Sequence, residues 1–348
     1  MTSPLNSLLA TSGPLVSRHD VLLVDLDGVV YVGANPVRHA VEVLGQARRG
    51  GSRVGYVTNN ARRTPEEVAA HLREFGLEVV DDDVVTSAQA GARLVASLVP
   101  VGSAVLAIGG PGVSAALMAR GLRPVMTDSE TPQAVMQGYG PDVSWHDLAE
   151  GTYAVARGVP FVATNLDLSV PTPRGIAPGN GALVAVIVAV TGVTPLVAGK
   201  PESPLMLESI ERLAAASPLV IGDRLDTDIE AGSRLGLPSL LVLTGVTGVA
   251  DLVAAPAHQR PTYVSEDLRG LLEEQPLVEV LPGGAVQCRQ ACVRVGERGL
   301  DVEQGGPDPI DLLRAVAVAC WTRADRGEEI DAHRVATDFA AVHAPRAR

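Results

Sequence analysis

The chain is poor in three things, and each shortage narrows what it can be. Aromatic residues fill only 3% of its 348 positions, which leaves little stacking surface for a nucleobase or another planar ring. Its three cysteines, Cys288, Cys292 and Cys320, are too few and too odd in number for a disulfide framework, so reduced thiols are expected. Cys288-x-x-x-Cys292 has no second Cys or His pair at zinc-site spacing. Basic residues number 28 against 40 acidic ones, a net charge of −12, and a field of that sign draws neither nucleic acid nor an anionic membrane surface. An anionic substrate would need local cations.

Long hydrophobic runs are also missing. The best, residues 182–190, is cut by Thr191-Gly192, well short of the roughly 20 residues that cross a bilayer. Residues 1–18 have no basic start, no sustained apolar run and no clear cleavage site, so they read as a tail and the expected location is cytoplasmic. What the chain does have is 46% hydrophobic residues, enough to bury cores in two or three domains.

The rest is organised around Val21-Leu22-Leu23-Val24-Asp25-Leu26-Asp27-Gly28-Val29. Four apolar residues read as a strand buried on both faces, which runs into two carboxylates one residue apart and a glycine. Helical periodicity follows over 37–49, a strand over 53–57 ends at Thr58-Asn59-Asn60, and Thr64-Pro65-Glu66-Glu67 signals a capped helix. Residues 87–193 read as a second α/β unit with strands at 104–108, 134–139 and 161–164. Residues 165–181, rich in proline and glycine, form its least regular part. The parallel-sheet pattern then resumes: 196–198 leads to Gly199-Lys200-Pro201, 219–221 to Gly222-Asp223-Arg224-Leu225-Asp226-Thr227-Asp228, and 239–243 to Thr244-Gly245. From residue 276 onward a hairpin about Gly296–Gly299 and a helix over 310–322 suggest a small α+β appendix, and the arginine-rich residues 344–348 read as disordered.

The fold class expected is α/β, a Rossmann-like doubly wound parallel sheet core over 20–86 and 194–275. A flexible tail (1–19) precedes it, a cap domain (87–193) is inserted in it, and the appendix (276–348) follows it. Asp25/Asp27, Thr58/Asn59, Lys200 and Asp223/Asp228 each follow a buried strand. The carboxyl ends of parallel strands share one edge, so these groups are expected in one crevice. Clustered aspartates repel unless a cation neutralises them, and such oxygen ligands suit Mg²⁺. Lys200 and Thr58 suit phosphate oxygens, and a carboxylate suits a covalent phosphoryl intermediate.

Asp-x-Asp-Gly-Val, Thr-Asn-Asn, Gly-Lys-Pro and Gly-Asp-x-x-x-Thr-Asp-Ile, in that order, resemble the motifs of the haloacid-dehalogenase superfamily of phosphatases. The inserted unit, with Thr164-Asn165-x-Asp167 and Pro178-Gly179-Asn180-Gly181, resembles the C2-capped class IIA branch, which includes nitrophenyl, nucleotide, pyridoxal-phosphate, phosphoglycolate and glycerol-3-phosphate phosphatases. The resemblance covers about residues 20–275. It implies that Asp25 is the nucleophile and Asp27 the acid/base. Asp25, the backbone carbonyl of Asp27 and Asp223 would hold Mg²⁺, and Asp228 would orient the lysine or a metal water. Thr58 and Asn59 would bind the transferring phosphoryl, and Lys200 would clamp it. Asn60 reads equally as ligand or turn residue. Asn165 and Asp167 read as substrate contacts, Asp226 as a helix N-cap, and His39 and His146 as surface residues.

The function expected is therefore Mg²⁺-dependent hydrolysis of a small phosphomonoester through an aspartyl-phosphate. Glycerol 3-phosphate comes first, with phosphoglycolate, nucleotides and pyridoxal phosphate as alternatives, and a silent binding protein as the rival of another class. Carbon–halogen hydrolysis has no use for Asp27 or Asp223, and a P-type ATPase would carry Asp-Lys-Thr-Gly. A homodimer through the cap or the appendix is left open. Relatives with an extra C-terminal unit have been likened to the acetyltransferase fold, but residues 276–348 contain no loop suited to acetyl-CoA.

Overall fold

The computed structural model describes residues 8–343 apart from Pro173 and Arg298. By internal contacts the chain divides into two units, one built from residues up to Val54 together with those from Ala216 onward, the other from Gly55–Ala215.

In the first unit four parallel strands lie in the order Tyr263–Ser265, Ser239–Val242, Pro218–Gly222, Val21–Val24. Every residue of these strands is buried, as continuous apolar runs in a helix-covered parallel sheet require. Helix Ala40–Arg49 buries Ala40, Val43, Leu44 and Ala47, one face of its periodic pattern.

The appendix is an antiparallel sheet in the order Val278–Val280, Val286–Cys288, Ala291–Gly296, Gly299–Gln304, with helices Pro309–Ala324 and Ala332–His343. Helix Pro309–Ala324 is buried without interruption from Asp311 to Trp321, because it is covered on more than one side. Its Leu312, Val316 and Trp321 share one apolar core with Val286 and Val293 of the appendix sheet and with Leu241, Leu252 and Val264 of the parallel-sheet region. Trp321 Nε1 donates to Leu252 O at 2.9 Å, and the Arg260 guanidinium lies 5.4 Å from the indole centroid. The appendix is thus part of the unit's core. Cys288, Cys292 and Cys320 are free thiols, and burial pushes Cys288 and Cys320 up to about 12.

Residues 8–19 correct the expectation of a flexible tail. Leu8 and Leu15 are buried, Leu9 N–H donates to Thr262 O at 3.1 Å, and Thr11 exchanges two hydrogen bonds with Gln275. Residues 1–7 and 344–348 lie outside the described residues.

The second unit carries a five-stranded parallel sheet, Leu196–Val197, Phe161–Ala163, Ala134–Gln137, Ala104–Ile108, Arg123–Val125, with helices Ser87–Ala96, Pro111–Ala119, Trp145–Ala156 and Asn180–Thr191. Strand Arg53–Thr58 crosses the boundary between the units and pairs in parallel with Val84–Thr86 through Tyr56, Val57 and Thr58. Helix Pro65–Glu74 begins with the expected capping box of Thr64 and Glu67. The irregular stretch 165–181 contains a hairpin, Ser169–Thr172 with Gly175–Pro178.

Residues 196–198 need a correction. Leu196–Val197 pairs with Val162–Ala163, so it is an edge strand of this five-stranded sheet and not a strand of the first sheet. Leu196 is exposed, as an edge position permits, and a short apolar run does not reveal which of two parallel sheets it joins. Among the described residues no helix is long and apolar enough to cross a membrane.

Removing residues 276–348 should therefore uncover a continuous core and leave a protein that aggregates or melts far lower than the full chain. Trp321→Ala should cost about 3–5 kcal/mol in urea unfolding. A loss under about 1 kcal/mol would contradict this packing.

Candidate active site

In the first unit the polypeptide brings three carboxylates to one point. Asp25 directly follows strand Val21–Val24, and its N–H continues the ladder onto Ile221 O at 2.9 Å. Asp223 follows strand Pro218–Gly222, and Asp228 lies in the wide turn Leu225–Ile229. One oxygen from each of Asp25, Asp223 and Asp228 lies within 4.8 Å of the others. Asp223 and Asp228 are each 1% exposed.

Backbone donors and glycines hold these acids in place. Asp223 Oδ2 accepts from Val246 N–H at 2.7 Å, and Asp228 Oδ2 accepts from Arg224 N–H at 3.2 Å. A Cβ on Gly245 would fall 1.9 Å from Asp223 Oδ2, one on Gly28 2.5 Å from the same atom, and one on Gly222 2.1 Å from Asp228 Cβ. Gly28 also has φ +84°, a conformation that glycine adopts without strain. The Thr244 hydroxyl donates to Gly28 O at 2.6 Å and ties the two loops together.

This all-oxygen, all-anionic set fits a hard divalent cation such as Mg²⁺. Asp228, expected only to orient a lysine or water, belongs to the converging set, whereas the exposed side chain of Asp27 does not. Asp27 lies in the tight turn in which Gly28 N–H donates to Tyr31 O at 2.9 Å. Asp226 does not cap a helix: it is exposed and pairs with Arg224 at 2.8 Å.

A second polar group lies in the Gly55–Ala215 unit. Thr58, Asn165, Asn180 and Lys200 are all at least 95% buried there. Thr58 Oγ1 accepts from Asn60 N–H at 3.0 Å, and Asn60 Oδ1 accepts from Arg62 N–H at 2.9 Å, so Asn60 uses its carbonyl oxygen in its own turn. Lys200 Nζ donates to Val57 O at 3.4 Å.

Asn59 was expected on the phosphoryl group, but its side chain brackets the Lys200 backbone. Its Oδ1 accepts from Lys200 N–H at 2.8 Å, and its Nδ2 donates to Lys200 O at 3.1 Å and to Asp167 Oδ2 at 3.3 Å. Asn165 was expected to touch substrate, yet it is 3% exposed and spends both ends of its amide on the protein. Nδ2 donates to Asn59 O at 2.7 Å and Oδ1 accepts from Asp167 N–H at 3.1 Å.

The glycines of Pro178-Gly179-Asn180-Gly181 are there for close packing. A Cβ would lie 2.3 Å from Asp167 O at Gly179 and 2.1 Å from Leu166 O at Gly181. His39 and His146 lie outside both groups; His39 faces Glu42 at 4.0 Å.

Sequence reading missed Gly28, Gly245 and the Val246 amide as supports of the acids. The glycines were visible as residues, but their contacts are long-range.

Comparisons with known proteins point to one family. Residues 22–123 match a family model described as haloacid dehalogenase-like hydrolase, and residues 197–271 match one described as HAD-hydrolase-like. The chain is 44% identical over 310 residues, 88% of its length and 87% of the relative's, to a D-glycerol 3-phosphate phosphatase of Mycobacterium tuberculosis. It is 36% identical to an acid sugar phosphatase of Staphylococcus saprophyticus, covering 74% of this chain and 99% of that one. Among solved structures, a glycerol phosphate phosphatase of Mycobacterium tuberculosis in complex with magnesium superposes with TM-score 0.82 at 44% identity, over 89% of this chain and 92% of that one.

Gly245→Ala should displace Asp223 and weaken Mg²⁺ binding at least about tenfold by calorimetry, a loss of about 1.4 kcal/mol. Unchanged affinity would mean that Asp223 is not part of a cation site.

Proposed function

Since the chain belongs to the haloacid dehalogenase-like hydrolase family, we propose that it is a phosphomonoesterase that works through a phosphorylated aspartate. The observation that carries this is the convergence of Asp25, Asp223 and Asp228 within 4.8 Å. Asp25 is the nucleophile: its carboxylate oxygen attacks phosphorus as the bond to the leaving oxygen breaks, and Asp27 gives that oxygen a proton. Asp27, now a base, takes a proton from the water that attacks the phosphoaspartate, releasing inorganic phosphate and restoring both acids. Thr58 and Lys200 bind the phosphoryl oxygens. Asp25, Asp223 and Asp228, together with the Asp27 carbonyl, would hold magnesium, which would supply positive charge to offset the acids and the phosphate. Support for this choice of ion comes from the magnesium complex of the similar phosphatase.

For the substrate we favour glycerol 3-phosphate. The similar D-glycerol 3-phosphate phosphatase supports it, as does the absence of any aromatic residue between Asn165 and Gly181 to stack on a base or pyridine ring. Sugar phosphates are a second reading, favoured by the similar acid sugar phosphatase. The free thiols suit a reducing, cytoplasmic setting.

Asp25→Asn should reduce turnover by more than 10³-fold, roughly the scale of losing a covalent nucleophile. EDTA should abolish activity and Mg²⁺ restore it. Across a substrate panel, glycerol 3-phosphate should exceed nucleoside monophosphates and pyridoxal phosphate in kcat/KM. A tenfold preference for either of those would overturn the substrate assignment, and turnover by Asp25→Asn within tenfold of the wild type would overturn the covalent mechanism.

A further inference from the structure

Three asparagines form a chain in which each side-chain amide donates to the backbone carbonyl of the next residue. Asn180 Nδ2 donates to Asn165 O at 2.8 Å, Asn165 Nδ2 to Asn59 O at 2.7 Å, and Asn59 Nδ2 to Lys200 O at 3.1 Å. The last link is closed on both sides, since Asn59 Oδ1 also accepts from Lys200 N–H at 2.8 Å. Asn180 is the first residue of helix Asn180–Thr191, a twelve-residue element whose Val184 and Ile187 lie in the apolar core of the second sheet. Ser87 Oγ adds a second donor to Asn59 O at 2.6 Å. No room is left for slack: a Cβ on Gly199 would stand 2.6 Å from Asn59 Oδ1 and 2.5 Å from Thr164 O.

From this we infer that Asn165 and Asn59 are positioning residues that fix the Lys200 backbone, and that Asn165 acts on catalysis through Lys200 and not by touching substrate. The inference rests on the proposed phosphatase reading. Lys200 is 4% exposed and its ammonium donates to Val57 O at 3.4 Å, so its packed stem carries a shift of the backbone through to the ammonium. Buried amides with both ends bonded are rigid and costly to disturb. A displacement of about 1 Å at a group that binds a transferring phosphoryl can cost about 10²-fold in rate. The chain also joins two segments far apart in sequence, the turn after Thr58 and the loop that carries Lys200, through one residue of a third. Asn165 is that splint.

The test is a set of variants of the full chain assayed on nitrophenyl phosphate, with inorganic phosphate as a competing ligand. Wild-type turnover is measured first, and its absence would sink the phosphatase reading itself. Given turnover, Asn165→Ala should lower kcat by about 10- to 100-fold and weaken inhibition by phosphate. Asn165→Asp, the same size but unable to donate to Asn59 O, should not rescue it. In a Lys200→Ala background Asn165→Ala should lower kcat by no more than about a further twofold, because both substitutions remove the same function. Melting temperature and circular dichroism identify any variant that fails to fold. If Asn165→Ala fails, Asn165→Asp and Asn180→Asp carry the same test. A kcat within twofold of wild type for a folded variant, full rescue by Asp, or a full multiplicative loss on top of Lys200→Ala would each overturn the inference.

Discussion

Three carboxylates confined within 4.8 Å of one another repel, and two of them, Asp223 and Asp228, are almost wholly removed from water. Burying such charges uncompensated is expensive. The polypeptide accepts this crowding at a point where two adjacent strands, Val21–Val24 and Pro218–Gly222, end side by side. Gly28, Gly222 and Gly245 clear the space a side chain would fill, while the Val246 and Arg224 amides hold the oxygens still. Such a cluster makes sense as the bed of a cation. Once a cation is bound there, a phosphate dianion can approach acids that would otherwise turn it away.

The rest of each unit keeps such groups from drifting. In the first, the long buried helix Pro309–Ala324 shares one core with Leu241, Val264 and the Leu225 and Ile229 side chains of the turn that carries Asp228, and Trp321 anchors it to Leu252. The similar acid sugar phosphatase covers only 74% of this chain while being matched over 99% of itself, so about a quarter of this chain lies beyond that relative. In the second unit a buried carboxylate does related work. Glu208 meets Arg93 at 3.0 Å and Arg120 and Arg212 at 2.7 Å each. Burial would raise its carboxyl, but the hydrogen bonds from Arg212 and Arg93 and the charge of Arg120 hold it below the ordinary range. That cluster ties helix Ser203–Arg212, just past Lys200, to helix Ser87–Ala96.

What could be read from the residues was whatever local pattern decides. Val21-Leu22-Leu23-Val24 before Asp25, and the Thr64–Glu67 capping box, carry their structure in their own order. Leu196–Val197 does not, because a two-residue apolar strand fits either parallel sheet and only its partners Val162 and Ala163 decide. Asn165 looked like a substrate contact because a polar residue in a glycine-rich loop usually faces outward; its partner, Asn59 O, is 106 positions away. Leu8 and Leu15 gave no periodic signal, yet both are buried, Leu8 in the core that also holds Leu225 and Val278. Asp226 resembled a cap until the chain took the wide turn Leu225–Ile229, which left it to pair with Arg224.

The most direct test of the central claim is anomalous diffraction from crystals of the wild-type protein grown with Mn²⁺, which accepts the same oxygen ligands as Mg²⁺. A single strong peak bounded by Asp25, Asp223 and Asp228, about 2.0–2.3 Å from its carboxylate ligands, is the expected result. Full occupancy elsewhere, with no peak among these three carboxylates, would contradict the account.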